Sequence, residues 1–188
     1  MIISMKDLEG SEILAGATSG QKALSRLITE LERSTSEDVA VYLDFRGIEI
    51  ATASYLRESV VEFRNLVRRR MPQFYPIVCN ANDPIVEELK VLLEPRREVL
   101  LLCSLTEQGK PISPLLLGTL EAKQKLTYDL VHQLGETDAA ELMKSNTGEE
   151  KVGQTAWNNR LSSLARLGLL VEENLGRAKR YRPLLQET

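Results

Sequence analysis

Apolar and polar positions follow two different rhythms along this chain. From residue 1 to about residue 105, short apolar runs suited to strands take turns with segments whose apolar residues recur at helical spacing. Val39 to Phe45 is a β-rich run. Leu24, Leu27, Ile28 and Leu31 give the preceding segment an apolar stripe, and Leu56, Val60, Phe63, Leu66 and Val67 give one to Tyr55–Arg70. Pro76 to Asn80 and Val99 to Leu105 supply further buried strands, and Asp83-Pro84 opens a helix between them with proline in its favoured first turn. The alternation predicts βαβ units, hence an α/β N-terminal domain with a mostly parallel sheet and covering helices.

Thr106-Glu-Gln-Gly-Lys110 separates two apolar runs, Leu100–Leu105 and Ile112–Gly118, as a β-hairpin turn does. This hairpin either extends the sheet or bridges to the C-terminal region, and Pro111 and Pro114 suit an edge strand. The rhythm then changes, which places a domain boundary near residue 118, with 1–118 as the first domain and 119–188 as the second. Thr119 to Leu134 carries Leu120, Leu126, Leu130, Val131 and Leu134 at helical spacing, and Thr137-Asp-Ala-Ala-Glu-Leu142 opens a second helix with a capping residue. Thr147 to Gly153 is a long polar turn.

A third helix runs from Thr155 towards Leu170. At about 100° per residue, Thr155, Asn159, Ser162 and Arg166 fall along one line, flanked by Asn158 and Ser163, while Trp157, Leu161, Leu164 and Ala165 gather on the other side. Gly168 ends the helix where a positive φ is needed. The polar face is short of carboxylates, unlike a solvated helix that mixes Glu with Lys. Arg166 suits a two-point contact to guanine and Asn159 one to adenine. Beyond the helix, Arg177, Lys179, Arg180 and Arg182 lie within six residues and suit phosphate neutralisation.

The order helix, helix, polar-faced helix and basic hairpin, with Leu164-Ala-Arg-Leu-Gly-Leu-Leu170 running into Val171-Glu-Glu and Gly176-Arg-Ala-Lys-Arg-Tyr-Arg-Pro183, resembles the winged helix-turn-helix family over residues 119 to 185. The resemblance implies a small C-terminal winged-helix domain. It also implies double-stranded DNA as partner, contacted by Thr155, Asn158, Asn159, Ser162, Ser163, Arg166, Arg177, Lys179, Arg180 and Arg182. The same fold used only for protein contacts is the alternative.

Val41-Tyr-Leu-Asp-Phe-Arg-Gly-Ile-Glu-Ile-Ala-Thr-Ala-Ser-Tyr-Leu56 resembles the central motif of STAS-like domains, relatives of anti-sigma factor antagonists, best over residues 39 to 66 and more loosely over 1 to 105. In the antagonists a serine at the helix start is phosphorylated, and here that position is Ala53, with Thr52 before it and Ser54 after. Thr52 and Ser54 are therefore either modification sites or helix caps. Asp44 suits an anchor for the turn through backbone N–H groups. The resemblance implies a domain for homodimerisation, or for sensing a signal or a signalling protein partner.

Composition narrows the function classes. The chain has 188 residues and a formal net charge of -3, yet from Lys151 to Arg182 seven Lys or Arg face two acidic residues. Charge is thus segregated, and one end suits an anionic partner. No apolar run approaches the roughly 20 residues of a membrane span, and the N-terminus lacks the pattern of a signal peptide, so a cytoplasmic protein is expected. Two cysteines in apolar strands and a single histidine, His132, leave no material for a zinc site or a Ser/His/Asp triad. No glycine-rich phosphate loop follows any strand. No cofactor, no metal and no enzymatic activity are expected. Arg68-Arg69-Arg70 suits a helix C-terminus, or less readily DNA. A DNA-binding transcriptional regulator is the leading expectation, and a protein–protein switch or adaptor of anti-sigma-antagonist type is the alternative.

Overall fold

Strand order in the N-terminal half decides where its helices lie. The computed structural model describes residues 1–34, 40–145, 152–176 and 178–186, in two compact units, Met1–Thr119 and Leu120–Gln186. The first unit runs β1 (Ile2–Ser4), α1 (Met5–Glu9), β2 (Ile13–Leu14), α2 (Ala17–Arg33), β3 (Ala40–Asp44) and β4 (Ile50–Ala51). A long helix comes next, made of α3 (Ala53–Leu56), a π-helical segment (Arg57–Val61) and α4 (Glu62–Arg70), and then β5 (Tyr75–Cys79), α5 (Asp83–Leu93), β6 (Val99–Leu105) and β7 (Pro111–Gly118). The five-stranded sheet has the order β1-β3-β5-β6-β7, in which β1, β3, β5 and β6 are parallel and β7 runs antiparallel to β6. A separate parallel pair joins β2 to β4.

Each parallel crossover advances in the same direction across the sheet, so right-handed connections drop their helices on one face. The core records this. Leu27 and Leu31 of α2, Val60 and Val67 of the long helix, and Leu89 and Leu93 of α5 form one buried cluster with Val41, Leu43, Val78, Leu100 and Leu102. Strand β7 closes the other edge, where Pro111, Pro114 and the positive φ of Ser113 interrupt further pairing.

The strand ends are tied by side chains. Asp44 Oδ1 accepts from the Arg46 backbone N–H (2.9 Å) and from Asn80 Nδ2 (2.7 Å), while Asn80 Oδ1 accepts from the Leu105 N–H (2.9 Å). Asp44 thus anchors the turn, and Asn80, at φ 54°, links β3 to β6. Asn82 caps α5, accepting from the Ile85 N–H, and donates to the carbonyls of Ile48 and Glu49.

Two expectations need correction. The Tyr55–Arg70 stripe assumed an unbroken 3.6-residue period, but the π-helical segment adds a residue to the turn and rotates the rest of the helix. Leu66 is therefore only half-buried, and Arg64 and Arg68 are buried instead. Arg64 pairs with Glu98 at 2.6 Å. Arg68 donates to the carbonyls of Pro72 and Phe74 and stacks 3.8 Å over the Tyr75 ring, which removes it as a DNA contact. The second correction concerns the helix expected from Thr119, which begins at Ala122 and leaves Leu126 and Leu134 each 46% exposed.

The second unit consists of α6 (Ala122–Leu134), α7 (Ala139–Ser145), α8 (Gln154–Arg166) and an antiparallel hairpin of β8 (Leu170–Leu175) and β9 (Ala178–Pro183). Its core gathers Val131, Leu142, Trp157, Leu161, Leu164, Leu170 and Tyr181, each at most 1% exposed. No helix among the described residues is long and apolar enough to cross a membrane.

Helix α2 approaches α3 closely at Gly20, where a β-carbon would stand 2.7 Å from Tyr55 O and 2.9 Å from Glu58 Cβ. Backbone cannot yield there. Gly20→Ala should destabilise the protein by about 1–3 kcal/mol, despite alanine's advantage of roughly 1 kcal/mol within a helix. Urea unfolding followed by far-UV circular dichroism measures this, and a more stable variant would refute the close packing.

Candidate nucleic-acid interface

Helix α8 is positioned from both ends by backbone geometry. Gly153 precedes it, accepting from the Ala156 N–H at 3.0 Å. At the far end Gly168 takes φ 82°, its N–H reaches Ala165 O and the Leu169 N–H reaches Leu164 O, both at 3.0 Å. This double closure is the Schellman arrangement, and it turns the chain into β8. Trp157, Leu161, Leu164 and Ala165 lock the inward face.

The outward face carries Thr155, Asn158, Asn159 and Arg166, all exposed. No carboxylate occurs from Gln154 to Arg166, and Arg166 makes no ion pair among the described residues. Ser162 and Ser163 lie further in, half-buried, and both serve the scaffold. Ser162 Oγ shares a hydrogen bond with Tyr181 Oη at 3.0 Å, and Ser163 Oγ accepts from Gln124 Nε2 at 3.1 Å. These bonds fasten α8 to β9 and to α6.

Strand β9 is held on its outer side as well. Thr137 and Tyr181 exchange backbone hydrogen bonds of 2.9 and 2.8 Å, so the segment before α7 adds a short third pairing to the hairpin. Asp138 caps α7 by accepting from the N–H groups of Ala140 and Glu141, and Glu141 returns to accept from the Asp138 N–H. This reciprocal capping box brings Glu136, Asp138 and Glu141 around one cation. Arg180 reaches Glu136 at 2.9 Å, Glu141 at 2.8 Å and Asp138 at 3.5 Å.

The other hairpin cations also face carboxylates. Lys179 lies 2.6 Å from Glu172 and Arg182 lies 2.9 Å from Glu173. Arg177 lies outside the described residues. Over the whole unit from Leu120 to Gln186, ten Lys or Arg stand against nine Asp or Glu, so the unit has almost no net charge to attract a polyanion. Attraction must come from where the charges sit. The acidic partners of Arg180 went unnoticed in the sequence, although the spacing Asp138-x-x-Glu141 before an apolar residue is a legible capping-box signal.

Between α7, α8 and β9 lies a cavity of about 490 Å³ lined by Asp138, Gln154, Asn158, Ser162, Lys179 and Tyr181, among others. It joins the helix face to the hairpin and is bordered by amide, hydroxyl, ammonium and carboxylate groups.

In the other unit, Thr52 is the N-cap of α3. Its Oγ1 accepts from the N–H groups of Tyr55 (3.4 Å) and Gly16 (3.3 Å) and lies 3.2 Å from Ser54 Oγ. The Ala53 N–H donates to Glu88 Oε2 at 3.1 Å. A carboxylate thus already occupies the anion-favouring helix end, and a phosphate on Thr52 or Ser54 would meet like charge. Cys79 and Cys103 are register partners on β5 and β6. Burial, followed by the nearby Asp44, pushes both thiols up, Cys103 to about 11. His132 Nδ1 lies 3.0 Å from Tyr128 O, with the two rings 4.1 Å apart. The described residues hold no group of three His, Cys, Asp or Glu able to ligate a metal.

The hydrogen bond from Arg180 holds the Glu141 carboxyl below its ordinary value of 4.5. A depressed carboxylate contributes stability above its unfolded value, and the contribution is lost as pH falls through the folded value. Arg180→Ala should therefore lower the melting temperature at neutral pH, with the deficit shrinking below pH 4.5. Thermal melts of both proteins across this range test it, and a deficit independent of pH would count against the clamp.

Set against models of protein families, curated proteins and solved structures, the chain matches none.

Proposed function

We propose that the unit Leu120–Gln186 is a winged helix-turn-helix reader of double-stranded DNA and that the protein is a cytoplasmic transcriptional regulator. The observation that carries this reading is the exposed face of α8, with Thr155, Asn158, Asn159 and Arg166 and no carboxylate along the whole helix. An α-helix fits the major groove, where an asparagine amide matches adenine N6 and N7, an arginine fork matches guanine O6 and N7, and a threonine methyl meets that of thymine. Asn158 and Asn159 bias the reader towards A·T pairs, and Arg166 supplies a guanine or phosphate contact.

The hairpin contributes phosphate contacts by exchange. Lys179 and Arg182 leave their glutamate partners, Glu172 half-buried and Glu173 exposed, for DNA phosphates, and surface pairs are worth only about 0–1 kcal/mol each. Arg180, enclosed by three carboxylates, positions the hairpin instead of gripping phosphate. The unit Met1–Thr119, with its parallel sheet and one-sided helices, fits the STAS-like resemblance and serves as the sensing, dimerising or partner-binding half. A second reading draws on the same pairing of Lys179, Arg180 and Arg182 with glutamates and aspartate. A surface with its cations already satisfied suits a protein adaptor of anti-sigma-antagonist type.

Selection of bound duplexes from a random library at two salt concentrations separates these readings. The DNA reading expects one enriched, A·T-containing motif. Asn159→Ala and Arg166→Ala should blunt sequence preference, whereas Lys179→Ala with Arg182→Ala should weaken all sequences and reduce the salt slope by about 1–2 phosphate equivalents. An absence of enrichment with the intact protein would favour the adaptor.

A further inference from the structure

Helix α6 carries an apolar flank beside its buried face that stays largely uncovered. Thr127 and Val131 are fully buried and Gln124 bonds to α8. Leu126, Leu130 and Leu134 lie one turn apart on the flank beside them, with Leu126 and Leu134 each 46% exposed and Leu130 half-buried. At about 100° per residue these three span roughly 80° of the helix surface. They form a single ridge of residues four apart, with Lys123 in line at its N-terminal end. The pair Lys125–Asp129, at 2.6 Å, lies to the side.

We propose that this ridge is a self-association surface, on which two copies of the chain pair their α6 helices antiparallel about a two-fold axis at Leu130. Two features fit a second copy. First, ridges of residues four apart interlock with ridges of the same kind, giving the commonest crossing of packed helices, about −50°. A two-fold axis presents each copy with the identical ridge, so Leu126 meets Leu134 of the partner subunit and the reverse. Second, the charges are complementary end to end. Antiparallel pairing brings Lys123 to the C-terminal end of the facing helix, where the last carbonyls and Glu136 of the partner subunit are negative. Glu136 is half exposed, and Arg180 keeps Asp138 and Glu141 if Glu136 turns outward.

Three leucines per copy make a small seam, well below the roughly 1,200 Å² of a standard interface, so association is weak. Sedimentation velocity of the full chain without DNA, from about 1 to 300 µM, should show a monomer–dimer equilibrium with a dissociation constant in the tens of micromolar. Leu126→Lys with Leu134→Lys should be monomeric throughout with unchanged far-UV circular dichroism. Lys123→Glu alone should weaken the dimer about two- to fivefold, a test that stands even if the leucine variant folds poorly, and adding Glu136→Lys, which also removes one partner of Arg180, should restore it with unchanged far-UV circular dichroism. A wild-type protein that stays monomeric, a dimer that survives both leucine replacements, or a charge swap without rescue would each overturn the proposal. Because the assay contains no DNA, its outcome is independent of the DNA reading.

Discussion

The C-terminal unit depends on how strand β9 is held. Tyr181 is buried, exchanges backbone hydrogen bonds with Thr137 and shares its hydroxyl with Ser162 of α8. One residue earlier, Arg180 is clamped by Glu136, Asp138 and Glu141. Adjacent residues of a strand point to opposite faces, so Tyr181 fastens the hairpin inward to α8 while Arg180 fastens it outward to the start of α7. The hairpin and the polar face of α8 are thereby set in one geometry, with the cavity between them.

This arrangement gives the hairpin charges unequal roles. A cation inside a ring of carboxylates is satisfied and has little to gain from a phosphate, whereas a cation paired with one carboxylate at the surface exchanges partners at smaller cost. Arg180 belongs to the first kind, Lys179 and Arg182 to the second. On the proposed reading, binding energy for a nucleic acid comes chiefly from α8, whose Arg166 makes no ion pair among the described residues. In the N-terminal unit, by contrast, polar groups are spent on closing the sheet. Asp44 and Asn80 tie three strand ends together, and Thr52 with Glu88 seals the start of α3.

Much of this was legible in the sequence where a local signal and the tertiary environment agree. Short apolar runs located β3, β5 and β6, a helical stripe located α2, Asp83-Pro84 marked the start of α5 and Gly168 the end of α8, because each carries its own backbone or burial signature. The Tyr55–Arg70 stripe was legible at Leu56, Val60, Phe63 and Val67, all buried, but not the half-exposure of Leu66 or the burial of Arg64 and Arg68, since a π-helical turn rotates later positions while leaving composition unchanged. The short strands β1, β2 and β4 are too brief to show a period. Pairing of the hairpin cations was hidden for a different reason: Glu172 and Glu173 sit on β8, across the hairpin from their partners on β9, and Glu136, Asp138 and Glu141 lie some forty residues away from Arg180. Counting charges along the chain registers an excess, and only the fold shows which charges are already met. Likewise the leucines of α6 announce an apolar helix without saying that two of its three outward leucines stay half exposed.

The proposed function stands or falls with whether the face of α8 meets the major groove. Chemical-shift mapping of the isotope-labelled full chain, titrated with a selected duplex, tests it most directly. The side-chain amides of Asn158 and Asn159 and the resonances of Thr155 and Arg166 should shift first and most, with smaller changes at Lys179 and Arg182 and little at Arg180. Shifts confined to the N-terminal unit, or to residues of the second unit away from α8, would contradict it.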